Sequence, residues 1–387
     1  MANSTITFFP VGEKNGGMTL IKLNDSDKTS ILIDCTIGED SIADHCDVNQ
    51  ELRDRLPKNL KGRPYIDAFI LTHRHDDHLK GFKKHFHLGP IEDYSDDDDE
   101  LKIIMNELWS SYNFWKPSSK NYTLCDDAKA YNKEMKRRVE LFEDDKEIQP
   151  EGARAIIVGK DPDGKTDELE EINYDIGDTF TKINNRELSS KINGLIFGPI
   201  EQQEDEHDDC YNEKNRQSIV IQLSIQQGNY ENRIFMSADA ECLVIETLWN
   251  DYKNDVGKLD YDILYAPHHC SWHSLSYDSQ SDDDDPQICE DAKKALSQCK
   301  DSAFIVSQSK IIKDSDEDPP SEAAKEEYVD IVGSEQFFCT NEHPNKEKPE
   351  PLEFNLTGDG PQKKGVKEKS KLAAAALSST KEAYPHG

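Results

Sequence analysis

A run of histidine and aspartate residues in the first quarter of the chain carries the strongest chemical signal. It reads His73-x-His75-x-Asp77-His78 and directly follows the apolar segment 67–71. Alternate positions put His73 and His75 on one side of an extended loop, so both side chains can reach the same cation. Asp77 and His78 can then turn toward a neighbouring cation. Because borderline metals such as zinc bind imidazole nitrogen and carboxylate oxygen, the run predicts a metal site rather than a solvated polar loop.

Two later segments have the same arrangement, an apolar strand that ends in a potential ligand. The segment 234–238 ends at Asp239, and the segment 263–267 ends at His268 and His269. Ligands collect at the rim of a sheet, where buried strands end. Alone, Asp239 fits a helix N-cap and the histidines fit a core pair. Together with the first loop, they predict one site assembled from three distant segments.

The composition indicates a globular chain with a strongly acidic surface. With 387 residues, of which 35% are hydrophobic, the chain is long enough to bury a large core. Its formal net charge of −32 is concentrated in runs such as Asp96–Glu100 and Asp282–Asp285. Such a charge repels nucleic acid at long range and is the main physical objection to a nuclease. We interpret the runs as solvated loops, and the objection weakens if they lie away from the site.

The cysteine pattern and the hydropathy indicate in which cellular compartment the protein is expected. The nine cysteines are scattered and form no C-x-x-C pair, so we expect neither a disulfide framework nor a thiolate zinc site. A cytoplasmic location, which is reducing, fits this pattern. No stretch approaches the roughly eighteen consecutive apolar residues of a membrane span, and no signal peptide is apparent at the N-terminus.

Strands and helices mix along the chain, which predicts a layered α/β architecture. Short apolar or alternating segments predict strands near residues 6–9, 18–23, 30–34, 67–71, 153–158, 178–183, 194–197, 218–225, 234–236, 261–265, 303–306 and 336–339. Periodicity and polarity predict helices over 39–56, 100–115, 126–142, 240–253, 288–299 and 321–332. We interpret residues 90–150 as a helical insertion or lid within a domain that spans 1–345. Residues 346–387 are predicted to be a C-terminal extension, lysine-rich and disordered from 361.

These motifs resemble those of the metallo-β-lactamase fold superfamily. Within it, the chain is most similar to the hydrolase domain of the ComEC-type DNA-uptake channel and its stand-alone relatives. The resemblance covers most of residues 5–345 and rests on the motifs Leu32-Ile33-Asp34, His73-x-His75-x-Asp77-His78-x-x-Gly81, Asn215-x-x-Ser218, Phe235-Met-Ser-Ala-Asp239, His268-His269-x-Ser271-x-x-Ser274 and Pro320-Ser-Glu. It implies a four-layer αββα sandwich with two divalent metal ions, zinc or manganese, between the sheets.

The resemblance also implies a ligand set. The first cation would be held by His73 and His75, the second by Asp77, His78 and His269, and both by Asp239. Two features depart from the family pattern. Cys270 stands where the branch usually has glycine, and the region 197–200 lacks a further histidine that many members place on the first cation. The first cation would then have an open coordination position or be loosely held, or its coordination would be completed by a carboxylate or by His207 of an acidic loop.

The activity implied is that of a metal-dependent hydrolase with a metal-bridging hydroxide as the nucleophile. The expected partner is a phosphodiester substrate, so the hydrolase would be a phosphodiesterase or nuclease acting on nucleic acid or nucleotides. Asp77 would orient the hydroxide. The side chains of Ser271, His273 and Ser274 would donate hydrogen bonds to a phosphoryl oxygen.

Four further side chains are candidate substrate-binding residues: Lys80, His268, Lys129 and Lys133. For the two lysines of the 126–142 helix, the alternative is a solvated face that pairs with neighbouring glutamates. Two other functions stay open. The same centre could hydrolyse carbon esters or amides, as a lactonase, thioesterase or β-lactamase does, or the protein could be a non-catalytic metal-binding scaffold.

Overall fold

The computed structural model describes residues 3–12, 14–38, 46–116, 123–200, 215–280, 286–315 and 318–365. Within these ranges two large β-sheets face each other, and helices cover both outer faces. The predicted α/β fold class, a four-layer αββα sandwich, is therefore confirmed.

The strands alternate between short antiparallel meanders and parallel runs. In chain order they are β1 (Ser4–Phe8), β2 (Thr19–Lys22), β3 (Ser30–Ile33), β4 (Cys35–Thr36), β5 (Tyr65–Ile70), β6 (Ile104–Ser111), β7 (Arg154–Val158), β8 (Asn173–Tyr174), β9 (Thr179–Phe180), β10 (Lys182–Ile183), β11 (Arg186–Glu187), β12 (Ile192–Ile196), β13 (Ile221–Gln227), β14 (Tyr230–Met236), β15 (Tyr261–Tyr265), β16 (Cys299–Ser307), β17 (Phe337–Cys339), β18 (Leu352–Thr357) and β19 (Gly360–Lys363). The first sheet has the order β19-β18-β1-β2-β3-β5-β6-β7-β8, and the second has the order β17-β16-β15-β14-β13-β12-β9.

The helices of the described residues lie outside the two sheets. They are α1 (Val48–Arg53), α2 (Asp76–Leu79), α3 (Phe82–His85), α4 (Asp126–Asp145), α5 (Cys242–Tyr252), α6 (Glu290–Leu296) and α7 (Glu322–Val332). The first four share an apolar cluster with the outer face of the first sheet, and the last three share one with the outer face of the second. The central cluster between the sheets is rich in branched side chains such as Ile6, Ile70, Val158, Ile221, Ile234 and Ile263. Such residues pack well on facing sheets.

The helix predicted over 100–115 is wrong. Residues Ile104–Ser111 form β6, which lies between β5 and β7 in the first sheet with parallel pairing to both. Every residue of β6 is buried. A strand buried on both faces has no reason to alternate, so its apolar positions happened to match a helical stripe. Residues 90–150 therefore contribute a central strand of the sheet, and α4 packs on its outer face.

The C-terminal prediction also needs correction. Residues Leu352–Thr357 pair with β1 and with Gly360–Lys363, so the first sheet continues well beyond residue 345. The burial along β18 alternates between buried and half-buried positions, as expected for a strand covered on one face. Residues 361–363 are thus ordered in a strand, and the rest of the lysine-rich tail, 366–387, lies outside the described residues.

Most other predicted elements are present with small shifts of their ends. The helix predicted over 126–142 is α4, and the last predicted helix, over 321–332, is α7. Part of the helix predicted over 39–56 falls outside the described residues, and α1 occupies the rest. No described helix is both long and apolar enough to cross a bilayer. The cysteines of the described residues are all free thiols, and Cys210 is not among those residues.

The strand register brings the candidate ligands to one end of the sandwich. β3 and β5 run parallel with Ile33 beside Ile70, so Asp34 and Thr72 leave the first sheet side by side. In the second sheet β14 and β15 are also parallel neighbours, and the loops that follow them carry Asp239 and the histidine pair. The backbone N–H of Ile219 donates to the carbonyl of Thr72 (2.9 Å) and connects the two sheets at this end.

Candidate metal centre

His73 and His75 meet one oxygen of Asp239. The Nε2 atom of His73 lies 3.1 Å from Oδ2 of Asp239 and 3.0 Å from Nδ1 of His75. One potential ligand atom from each of the three side chains lies within 4.8 Å of the other two. His73 and Asp239 are almost fully buried. Three donors from two sheets therefore converge on one point between the sheet ends.

The other oxygen of Asp239 faces a second group of donors. Its Oδ1 atom lies 3.2 Å from Nε2 of His78 and 3.4 Å from Nε2 of His269. Nε2 of His269 also lies 3.2 Å from Oδ2 of Asp77. The two carboxylate oxygens of Asp239 are thus divided between two donor groups, which is the arrangement expected of a bridging ligand.

The spacing of these donors fits cation binding. Donor atoms that bind one tetrahedral zinc ion at about 2.1 Å are separated by roughly 3.4 Å. The distances from Asp239 to His73, His78 and His269 are 3.1, 3.2 and 3.4 Å. Oδ1 of Asp239 is buried and accepts no hydrogen bond. A buried carboxylate oxygen without a donor needs a positive charge beside it, and a divalent cation supplies one.

Outer partners turn the ring nitrogens of three histidines toward the centre. Nδ1 of His78 donates to Asp34 (2.7 Å), and Nδ1 of His269 donates to the carbonyl of Gln308 (2.9 Å). Nδ1 of His73 lies 3.1 Å from the hydroxyl of Thr72, which itself donates to Asp34 at 2.7 Å. With Nδ1 protonated in this way, each Nε2 presents a lone pair to the site, as metal-binding histidines do.

Two of these lone pairs face each other. Nε2 of His78 lies 3.1 Å from Nε2 of His269, and both rings are fully buried. Because both Nδ1 protons are used by Asp34 and Gln308, neutral rings would repel one another here. A proton or a cation between the two nitrogens removes that repulsion. The geometry of this pair therefore fits a bound metal better than an apolar core.

The electrostatics of the cluster agree with that requirement. Burial alone would lower the pKa of His78, but Asp239, Asp34 and Asp77 outweigh it and hold the pKa well above its ordinary value. Burial alone would raise the pKa of Asp239, but His269, His78 and His73 outweigh it and keep the pKa well below the usual range. The carboxylate of Asp239 thus remains ionised and attracts positive charge.

His75 differs from the other rings. Burial, together with the neighbouring His73, lowers its pKa to about 3, so its imidazole is neutral at physiological pH. A neutral imidazole is the form that binds metal. No proton has to leave His75 before it can bind a cation.

The absence of a side chain at Gly17 leaves room for the ring of His78. A Cβ atom at Gly17 would lie only 3.1 Å from Nδ1 of His78 and 3.3 Å from Oδ2 of Asp34. Any larger residue would push against the contact between His78 and Asp34. This glycine therefore belongs to the support of the centre.

The predicted phosphoryl donors lie in a different environment from the one expected. Ser271 and Ser274 are fully buried. The hydroxyl of Ser271 accepts from the N–H of His273 (3.1 Å), and that of Ser274 donates to the carbonyl of Ala240 (3.1 Å). Both hydroxyls thus stabilise the loop that carries His269. Of the three predicted donors, His273 alone is substantially exposed, with Nε2 4.0 Å from Asp318.

The candidate substrate-binding residues are only partly brought to the centre. Nε2 of His268 lies 3.8 Å from Oδ2 of Asp239. Lys80 follows α2, beside the metal loop. Lys129 pairs with Asp126 on the exposed side of α4, and Lys133 is also exposed. Within the described ranges, no contact connects Lys129 or Lys133 to the centre, so the solvated-face alternative fits these two lysines better.

The two departures from the family pattern have different outcomes. Cys270 has a φ of 69°, the left-handed conformation that glycine adopts at little cost. The cysteine therefore keeps the backbone path that a glycine would take, and its thiol is buried in the core. His207 lies outside the described residues, as does the loop around it.

Sequence reasoning missed the outer partners of the histidines. Asp34 belongs to a sequence motif but has no predicted role there, and Gln308 belongs to none of the motifs. Asp34 directly follows an apolar strand, as the metal ligands do, and this signal could have identified it. Gln308 acts through its backbone carbonyl, which no side-chain pattern reveals.

Comparisons with known proteins give little further guidance. No protein-family model and no curated protein matches the chain. A solved structure described as a new diphosphatase from the PhnP family aligns with 92% of this chain and 98% of its own length. The identity is 10% and the TM-score is 0.33, which is too low to carry an argument about family or substrate.

Proposed function

We propose that the protein is a metal-dependent hydrolase of phosphate esters, most simply a phosphodiesterase. The observation that carries the proposal is the division of Asp239 between two donor groups, with Oδ2 beside His73 and Oδ1 beside His78 and His269. When bound, two divalent cations would activate water and stabilise the entering and leaving oxygens of an in-line displacement.

The chain's own residues prepare the site for that chemistry. His73 and His75 would hold one cation, while His78, His269 and Asp77 would hold the other. Asp77 has 35% of its side chain exposed, whereas Asp239 has only 2%, so Asp77 is the carboxylate that faces incoming solvent or substrate. From there it can orient a water molecule for attack, as the sequence predicts.

The location of the negative charge bears on a nucleic-acid substrate. The acidic run 96–100 lies just before β6, at the strand's N-terminal end, whereas the candidate centre lies at the C-terminal ends of β5, β14 and β15. Asp96 and Glu100 are also paired, with Arg63 and Arg53 respectively. The run at 282–285 lies outside the described residues. The run 96–100 therefore adds little repulsion at the mouth of the site.

The test combines metal content with a substrate panel. Purified protein is stripped with a chelator, reloaded with Zn²⁺ or Mn²⁺, and assayed on bis-p-nitrophenyl phosphate, single- and double-stranded DNA, RNA and cyclic dinucleotides. We expect two cations per chain and hydrolysis of at least one phosphodiester. Asp239→Asn should lose bound metal and more than about 100-fold in activity, because a bridging ligand matters more than an outer partner.

His87→Gln provides a matched control. His87 is also a buried histidine, but its Nε2 atom contacts the carbonyl of Pro90 far from the ligands. This variant should keep its metal. A wild-type protein that binds no cation, or that binds two and leaves every phosphodiester intact, contradicts the proposal. Turnover of an acyl lactone or nitrocefin alone would instead support a carbon-ester hydrolase.

A further inference from the structure

Three histidines of the centre share one orientation. In His73, His78 and His269 the Nε2 atom points at an oxygen of Asp239, while Nδ1 faces a hydroxyl, a carboxylate or a carbonyl. This arrangement fixes the tautomer that leaves Nε2 free to bind a cation. The same pattern can therefore be used to recognise a further ligand.

His268 repeats this orientation. Its Nε2 atom lies 3.8 Å from Oδ2 of Asp239, the oxygen that also faces His73. Its Nδ1 atom lies 3.7 Å from Oε1 of Glu241 and is buried without a hydrogen bond. The Nε2 distance exceeds those of the other three rings by 0.4–0.7 Å, and the Nδ1 distance exceeds theirs by 0.6–1.0 Å.

Glu241 is held in place beside His268. The side-chain amide of Asn215 donates to Oε1 of Glu241 at 2.6 Å, and both residues are buried. A carboxylate fixed in this way accepts the Nδ1 proton of an imidazole and raises the basicity of Nε2. Asn215 therefore supports the centre indirectly, because it positions Glu241 beside His268.

The backbone of His268 adopts a strained, left-handed conformation next to the candidate centre. Its φ and ψ are 46° and 50°, in the left-handed region, and the next residue, His269, has a φ of 56°. Such conformations cost of order 1 kcal/mol or more for non-glycine residues and concentrate at functional sites. The N–H of His268 donates to the carbonyl of Ala238 at 2.9 Å, which holds the strained turn beside Asp239.

We propose that His268 is a ligand of the first cation, together with His73, His75 and Oδ2 of Asp239. The inference rests on the metal centre of the proposed function and gives that cation four donors. It replaces the expectation that His268 binds substrate. His268 does not belong to the group formed by His73, His75 and Asp239, whose donor atoms lie within 4.8 Å of one another. Binding therefore requires its ring to turn toward His73 and His75 and to shorten the 3.8 Å distance from Asp239 to the roughly 3.4 Å between donors on one zinc ion.

The experiment measures metal binding rather than turnover. Chelator-stripped wild type and His268→Ala are titrated with Co²⁺, whose visible absorption reports coordination number, and affinities are measured by competition with a chromophoric chelator. We expect one of the two sites to lose on the order of 100-fold in affinity with a changed Co²⁺ spectrum, and the other to stay unchanged. Glu241→Gln, which keeps the shape, should weaken the same site about 10-fold.

His273→Ala is the matched control, since it removes another histidine from the same loop. Its metal affinities should equal those of wild type. Circular dichroism of the stripped proteins checks folding, and Glu241→Gln decides the matter if His268→Ala does not fold.

The outcomes separate the two proposals. If wild type binds two cations and both variants keep both affinities and the Co²⁺ spectrum, His268 is not a ligand although the centre stands. A rise in KM alone would then assign His268 to substrate binding. If wild type binds no cation, both the role of His268 and the proposed function are wrong.

Discussion

At the scale of single residues, Asp239 determines the character of the site. Its side chain is buried, it accepts no hydrogen bond at Oδ1, and four imidazoles surround its two oxygens. No apolar or hydrogen-bonded core needs such an arrangement. The residue connects the two sheets because its loop follows β14 while His73 and His78 follow β5.

Asp34 offers a test of the outer support. Asp34→Asn keeps the size of the side chain and tolerates the observed φ of 58°, since asparagine adopts left-handed conformations more readily than most residues. It removes the negative charge that holds Nδ1 of His78 at 2.7 Å. We expect metal affinity to fall by about 10- to 100-fold, measured by chelator competition.

Asp67→Asn is the control for that change. Asp67 is equally buried in the first sheet, but it accepts from Ser30 (2.8 Å) and from Arg186 (2.6 Å), away from the ligands. It should lower thermal stability and leave metal affinity as in wild type. Equal losses of affinity in the two variants would show that Asp34 acts through general stability.

The candidate ligands could be located from the sequence, whereas the residues that support them could not. His73, His75 and His78 lie in one short segment, and Asp239 and His269 each follow an apolar strand, so local patterns are enough to select them as candidates. The contacts of His78 with Asp34 and of His269 with Gln308 join residues about 40 positions apart. Such pairs follow from strand order, which spacing along the chain does not give.

At the scale of elements, β6 shows why a periodic pattern can mislead. Its apolar positions fit a helix, yet the segment is buried on both sides between two parallel neighbours. The central position of a strand, rather than its own residues, decides which side chains are covered. By contrast, α4 was predicted well because one of its faces is exposed and its apolar stripe is therefore informative.

The anchoring of α4 leads to a stability prediction. Arg138 is buried, and its guanidinium donates to Glu134 (2.8 Å), to the carbonyl of Met105 (3.1 Å) and to the carbonyl of Arg154 (3.0 Å). Arg138→Met should lower the free energy of unfolding by about 1–3 kcal/mol, because the carbonyls of Met105 and Arg154 lose a donor while Glu134 keeps its ion pair with Arg137. Urea denaturation of the metal-free protein measures this loss.

Lys133→Met on the exposed side of the same helix is the comparison. It should change the free energy of unfolding by less than about 0.5 kcal/mol. A similar small change for Arg138→Met would mean that the helix does not depend on its buried ion pair.

At the scale of the whole molecule, the net charge of −32 opposes the compact state through self-repulsion. Raising NaCl from about 10 mM to about 150 mM shortens the screening length from about 30 Å to about 8 Å. The melting temperature of the metal-free protein should therefore rise by at least about 2 °C, as followed by differential scanning calorimetry. Potassium chloride should raise the melting temperature by the same amount. A melting temperature that falls with salt would contradict the expectation.

The pairing of β1 with β18 has a consequence for how the chain reaches its native state. β1 lies between β2 and β18, so one of its edges has no partner until residues Leu352–Thr357 leave the ribosome. During most of synthesis the nascent chain therefore exposes an unpaired strand rich in apolar side chains, the kind of edge that invites association with other chains. Because the chain is synthesised from its N-terminus, the first sheet can be completed only after β18 has been made. A ribosome-bound chain that stops before β18 should therefore be sensitive to proteases.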